Sequence, residues 1–277
     1  MNVLKKILDF YINCSIHVAL SVFALVRITD YMFGIKEDSA VLIFAFFGTI
    51  VGYNFVKYDA LARIQKCQMK PQLKGIALVS FISLLLTAYG FMQLQWITQI
   101  IGIVFLLLTM LYTLPFFPNK KNARNWAGIK IYIVALCWVG VTLVLPIVNA
   151  GLPLTSDFYL KCVQRFILVF VLILIFEIID LMQDDPHLKT VPQQIGVAFT
   201  KRLGYVLLFV FCLLELFNVN TRDSIAIASL DCTLQCVIAL VVGLFLAFAN
   251  PYRSKYYTSF WVESIPLVLW LLIALLV

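Results

Sequence analysis

Nine apolar runs, each about as long as a bilayer is thick, decide what this chain can fold into. They fall at roughly 7–33, 39–58, 75–94, 97–117, 128–149, 159–180, 203–219, 224–249 and 259–277, and polar connections separate them. A helix needs about 20 apolar residues to cross a hydrocarbon core of about 30 Å. In lipid the backbone must satisfy its own hydrogen bonds, which a helix does within one segment. Barrel strands would read as segments of about 10 residues in strict alternation, and no run here alternates that way. Composition agrees: 63% of the 277 residues are hydrophobic, 13% are charged, and mean hydropathy is +0.99. That is more apolar surface than a soluble domain of this size can hide. The expected fold is all-α, a polytopic helical bundle of about nine transmembrane helices forming a single transmembrane domain over 1–277. There is no apolar leader with a small-residue cleavage site, so no removed signal peptide is expected. No repeat, low-complexity tract or dividing linker is visible.

The formal charge of +7 invites a nucleic-acid reading, but the positions of the charges argue against it. With an inside N-terminus, 16 of the 21 Lys and Arg fall on the inside face and five (Arg27, Lys36, Lys161, Arg165, Arg222) on the other. The excess of basic residues on cytoplasmic loops predicts a cytoplasmic N-terminus and a C-terminus on the opposite side. Most of the positive charge then serves topology and anionic-lipid contact. No basic run carries the aromatic interleaving of a single-strand binder. The seven cysteines are scattered through apolar segments without a CxxC, so neither disulfides nor a zinc site are expected.

Chemistry is concentrated where the sixth run ends. Phe176 is followed by Glu177-Ile-Ile-Asp180-Leu-Met-Gln-Asp184-Asp-Pro-His-Leu-Lys189-Thr-Val-Pro192. Helical spacings of three and seven put Glu177, Asp180 and Asp184 on one stripe, within about 60° of each other at ~100° per residue. Acids at the edge of a bilayer are costly, and a one-sided row of them is a site hypothesis. Carboxylates attract Mg²⁺, and Mg²⁺ attracts phosphate. Lys189, Lys201 and Arg202 follow, placed to meet an anion. The predicted topology turns this row toward the same water as the basic connections after the second and fourth helices. The plainer alternative is a solvated helix end, although acids at a helix C-terminus oppose its dipole.

Other intramembrane polar residues have plainer expectations. His17 is a lone histidine of the kind that hydrogen-bonds in a helical interior. Glu215, Asp231 and Glu263 are expected to pair with Arg222 or a polar neighbour, and a proton or ion pathway is the sharper alternative. A small transporter built on Glu215 and Asp231 would show internal repeats or paired broken helices, and neither is visible. No phosphate-binding glycine loop, zinc spacing or Ser–His–Asp pattern is present.

The acidic row, the loop after it and the helix count resemble the UbiA-type intramembrane prenyltransferase superfamily. The family's second motif reads approximately Asp-x-x-Asp-x-x-x-Asp, a short loop with Lys-Thr and Pro, then Gly. This chain has Glu177, Asp180, Asp184, Lys189-Thr190, Pro192 and Gly196 in that order. Tyr112-Thr-Leu-Pro115 followed by Lys120 and Lys121 resembles the end of the family's fourth helix, and Asn125-Trp-Ala-Gly-Ile-Lys130 its entry to the fifth. The resemblance implies a prenyl diphosphate donor, Mg²⁺ on Glu177, Asp180 and Asp184, and a lipophilic acceptor within the bilayer. It implies phosphate contacts from Lys120, Lys121 and Lys189, and aromatic faces at Tyr53, Tyr58 and Tyr112 that stabilise an allylic cation. The expected location is a cell membrane, of bacterial type.

The first motif departs from the family. Where Asn-Asp-x-x-Asp-x-x-x-Asp is expected, the chain has Asn54-Phe55-Val-Lys57-Tyr58-Asp59-Ala-Leu-Ala62. Only Asn54 matches, Asp59 is one position out of step, and Lys57 lies on roughly the face of Asn54. Two readings stand. In one, Lys57 supplies positive charge that a first Mg²⁺ would bring, and one ion on Asp180 and Asp184 suffices. In the other, the site binds an isoprenoid or other anionic lipid without turnover. Plainer roles are a helix–helix hydrogen bond for Asn54 and an interfacial anchor for Lys57.

Overall fold

The computed structural model describes residues 3–64, 71–113, 128–219 and 225–276; the side chains of 59–64, 112–113, 187, 217–219, 225–231 and 276 lie outside the description. Tyr112 is therefore described as helical backbone only, as is Asp59, and Lys120 and Lys121 lie outside the described residues. Helices are the regular structure of the described residues, which include no strand. Its helices are α1 (Val3–Asn13), α2 (Ile16–Phe33), α3 (Ser39–Ile64), α4 (Pro71–Gln93), α5 (Trp96–Thr113), α6 (Ile129–Val139), α7 (Leu145–Asn149), α8 (Ser156–Asp180), α9 (Val191–Val219), α10 (Ile225–Phe248) and α11 (Ile265–Leu276). A π-helix at Gly140–Val144 joins α6 to α7, and another at Tyr257–Val262 leads toward α11. Among the described residues seven helices are long and apolar enough to cross a membrane, and two more apolar helices, Trp96–Leu111 and Cys232–Phe248, are shorter. The chain is a multi-pass, all-helical membrane protein.

It forms two compact units, one of Met1–Thr109, Val141–Leu152 and Pro266–Val277, the other of Met110–Gly140 and Pro153–Ile265. In the first unit the run expected as one helix over 7–33 is two. Ser15 takes a left-handed conformation (φ 60°) between α1 and α2. That conformation is costly for a residue with a Cβ, and here the serine hydroxyl is held by partners from α3. The α3 and α4 backbones touch: a Cβ on Gly90 would lie 2.9 Å from the Phe44 nitrogen. Asp38 caps α3, accepting the Ala40 N–H at 3.0 Å. Asn149, at the end of α7, donates to the other oxygen of Asp38 and accepts the Gln95 N–H at 2.9 Å. The Thr29 hydroxyl donates to the Thr142 carbonyl at 2.7 Å, within the π-helical stretch where the backbone ladder is irregular.

The second unit is built around α8, whose apolar residues run all round the helix, with 72% of its spanning window buried. Phe170 and Leu174 pack with Ile131 of α6 and Leu203 and Leu207 of α9. In the half of α8 nearer its N-terminus, Lys161 donates to Glu215 of α9, and both side chains are almost fully buried. The Gln164 amide nitrogen donates to the same Glu215 oxygen at 2.9 Å and to the Phe211 carbonyl at 3.2 Å. Glu215 thus pairs with a basic residue inside the bundle, as intramembrane acids do. Its partners are Lys161 and Gln164; Arg222 lies outside the described residues.

Removing one member of a buried ion pair leaves an uncompensated charge, a loss of about 3–5 kcal/mol. Glu215→Leu alone is therefore expected to lower the thermal midpoint in detergent sharply. The double variant Lys161→Met with Glu215→Leu is expected to recover most of the loss, as read by thermal unfolding of the purified chain.

Candidate functional site

The acidic row occupies the last turn of α8 and the connection to α9, within the second unit. Asp180 is the final residue of α8. Its carbonyl accepts the N–H groups of Gln183 at 2.8 Å and Asp184 at 2.9 Å, so the chain makes one more turn and Asp184 stays close to the helix end. A short 3₁₀ turn, Pro186–Leu188, follows, and Lys189 adopts a left-handed φ of 45°. The connection is strapped by α9. The Gln193 amide accepts the Thr190 N–H at 3.0 Å and donates to the Asp185 carbonyl at 3.3 Å. The Gln194 amide donates to the Lys189 carbonyl. Helix α9 itself is broken at Gly196, whose φ of 78° and ψ of 158° belong to a region open essentially to glycine alone.

Glu177 has a defined task. It is 3% exposed, and its Oε2 accepts the backbone N–H of Val191, the first residue of α9, at 3.0 Å. A carboxylate at a helix N-terminus satisfies an orphan donor and meets the positive end of the dipole. One carboxylate thereby fixes both ends of the connection that carries the other two.

Asp184 is different. Its Oδ2 is buried and has no hydrogen-bond partner among the described residues. A carboxylate oxygen withdrawn from water without a donor is costly unless a cation answers it. The charges of Asp180 and Asp184 act on one another and on Glu177, and the ammonium of Lys130, in the first turn of α6, acts on Glu177 and Asp180 from the opposite sign. In the sequence Lys130 counts toward the inside positive charge and closes the Asn125–Lys130 stretch. Nothing in the local pattern links it to acids some fifty positions later, which only the packing of α6 on α8 brings near.

Among the described residues no three His, Cys, Asp or Glu side chains converge to hold a metal. Mg²⁺ does not need three. It is commonly held by one or two carboxylates, with water and substrate phosphate completing the shell. Asp180 and Asp184 supply two carboxylates at one helix end, and the Oδ2 of Asp184 has no donor among the described residues.

The first-motif residues lie in the first unit and form a network of their own. Asn54 is 3% exposed. Its Oδ1 accepts the Ser15 hydroxyl at 2.8 Å, and its Nδ2 donates to the Ser80 hydroxyl at 2.8 Å. Asn54 thus ties α3 to the α1–α2 break and to α4, the helix–helix role weighed from sequence. Lys57 is exposed; its Nζ donates to the Ser15 oxygen at 3.0 Å and lies 5.9 Å from the centroid of the Tyr53 ring. Tyr58 donates to the Asn13 carbonyl at 3.0 Å. His17 is buried and bonded to the Tyr11 hydroxyl at 2.8 Å.

The Glu177–Val191 bond makes its own forecast. Glu177→Leu is expected to raise hydrogen exchange at the Val191 amide and through 185–191, whereas Glu177→Gln, which keeps an acceptor oxygen, retains much of the protection. Exchange followed by mass spectrometry on the intact protein separates the two.

No family model and no curated protein matches the chain by sequence. By structure it is similar to a solved digeranylgeranylglyceryl phosphate synthase in membranes, a UbiA-type prenyltransferase, with a TM-score of 0.58 at 16% identity over 99% of this chain and 100% of that one. At that identity the likeness speaks for the fold, and it covers both units from end to end. This chain has the fold of the UbiA-type intramembrane prenyltransferases.

Proposed function

We propose that this protein moves a prenyl group from a prenyl diphosphate to a lipophilic acceptor in the membrane, with Asp180 and Asp184 as the cation-binding acids. The observation that carries the reading is the buried, unpartnered Oδ2 of Asp184 beside Asp180, at the end of a membrane helix, on a fold shared with a prenyltransferase. A Mg²⁺ ion there would supply positive charge to the diphosphate as it leaves.

The chain's own residues do the rest. Glu177 holds the connection in place through Val191. Lys189, exposed and in a left-handed turn, offers its ammonium to phosphate, and Lys120 and Lys121 are assigned the same task. Lys57 takes over the positive charge that a first-motif metal would bring. The allylic C–O bond breaks and its electron pair leaves with the diphosphate. The aromatic faces of Tyr53, Tyr58 and Tyr112 are assigned to the resulting cation. An acceptor carbon or oxygen then forms the new bond and gives up its proton.

A second reading, isoprenoid binding without turnover, is favoured by one observation: both polar groups of Asn54 are already engaged, with Ser15 and Ser80. Incubating the purified protein with Mg²⁺, radiolabelled prenyl diphosphates and a panel of aromatic, sugar and isoprenoid acceptors separates the two. Transfer predicts Mg²⁺-dependent diphosphate release with a dependence on ion concentration close to first order. Asp180→Asn or Asp184→Asn is expected to cut kcat by about 10²-fold or more, and Lys57→Met by a smaller factor. Tight Mg²⁺-dependent binding with no release would leave only the binder.

A further inference from the structure

Away from the acidic row, helices α9 and α10 flank an open apolar groove of about 440 Å³. Tyr205, Leu208 and Cys212 line it from α9, and Ala239, Gly243 and Ala247 from α10. It extends from Cys236 to Ala247, about 16 Å at 1.5 Å per residue. That is roughly half of a ~30 Å hydrocarbon core, the depth of one leaflet.

One end of this groove is basic. Lys201 donates to the carbonyl of Ala247, a groove residue, at 2.7 Å. Arg202 lies over the Phe199 ring at 5.0 Å, Arg253 over Tyr257 at 5.4 Å and Lys255 over Tyr256 at 5.8 Å. Arg253 also donates to the Phe248 carbonyl at 3.3 Å, just past the groove. Cations set against Tyr and Phe faces at helix ends mark the headgroup level of a membrane. No Asp or Glu occurs in 186–214 or 232–262, so neither segment offers these cations a carboxylate.

We propose that this groove is a binding site for one anionic phospholipid, its acyl chain lying between α9 and α10 and its phosphate headgroup met by Lys201, Arg202, Arg253 and Lys255. The groove supplies the length and apolar lining of a single chain, and the four cations supply the charge that selects an anionic headgroup over a zwitterionic one. The site does not depend on prenyl transfer and uses none of the acidic row.

Native mass spectrometry of the full chain, released from mixed micelles of phosphatidylglycerol and phosphatidylcholine, tests this. One phosphatidylglycerol should be retained in preference to phosphatidylcholine. Arg202→Gln and Arg253→Gln, at exposed positions, should each lower that preference by up to about five-fold at low ionic strength, with an unchanged thermal midpoint showing that the fold is kept. Gly243→Leu should abolish retention by filling the groove. Equal retention of the two lipids, or a preference unchanged in the charge variants, would overturn the proposal. So would one-for-one displacement of phosphatidylglycerol by geranylgeranyl diphosphate, which would make the groove a prenyl-donor site.

Discussion

In an apolar solvent, every polar group that leaves water has to find its partner inside the protein. This chain meets that demand at a few long-range points. Asn149 joins Asp38 to the start of α5, and Thr29 answers the Thr142 carbonyl in the π-helical stretch. Lys161 and Gln164 answer Glu215, and Glu177 answers the first amide of α9. Each of these links joins different helices and locks a packing that apolar contact alone would leave free to slide. Among the described residues four buried side-chain oxygens lack a hydrogen-bond partner, those of Thr98, Gln164 and Thr190 and the Oδ2 of Asp184; of the four only the last belongs to a carboxylate, and that makes the acidic helix end a candidate site.

The bundle was legible in the sequence because hydropathy is a local, summed property. The runs at 39–58, 75–94 and 159–180 correspond to helices α3, α4 and α8. The acidic row was legible for the same reason: helical spacing places Glu177, Asp180 and Asp184 without reference to any other segment. The break at Ser15 was not. Its left-handed backbone is compensated by Asn54 and Lys57, 39 and 42 positions away, and nothing in the local pattern announces partners so distant. The two π-helices are likewise products of packing, since an extra residue in a turn leaves no mark on the spacing of apolar side chains.

Within the candidate site, the local signal overstated how alike the three acids are. Spacing made them equivalent, whereas their surroundings distinguish them. Glu177 holds a helix start, Asp180 ends a helix, and Asp184 has a buried oxygen with no donor among the described residues. The link between Lys130 and these acids comes only through tertiary packing. On the first motif, the departure from the family at Phe55 and Tyr58 is matched by a different use of the same helix. Asn54, Lys57 and Tyr58 bind helices together at the α1–α2 break.

The glycine at 196 divides the mechanical duties of α9. The turn before it, Val191 to Ile195, belongs in effect to the acidic connection: Glu177 grips its first amide, and Gln193 and Gln194 reach back to the loop. The length after it is the transmembrane rod that pairs with Glu215's partners and faces α10. Because the backbone at Gly196 departs from helical geometry, the hydrogen-bond ladder is interrupted between the two. Gly196 is thus the place where the strapped first turn of α9 and its membrane-embedded length take separate directions.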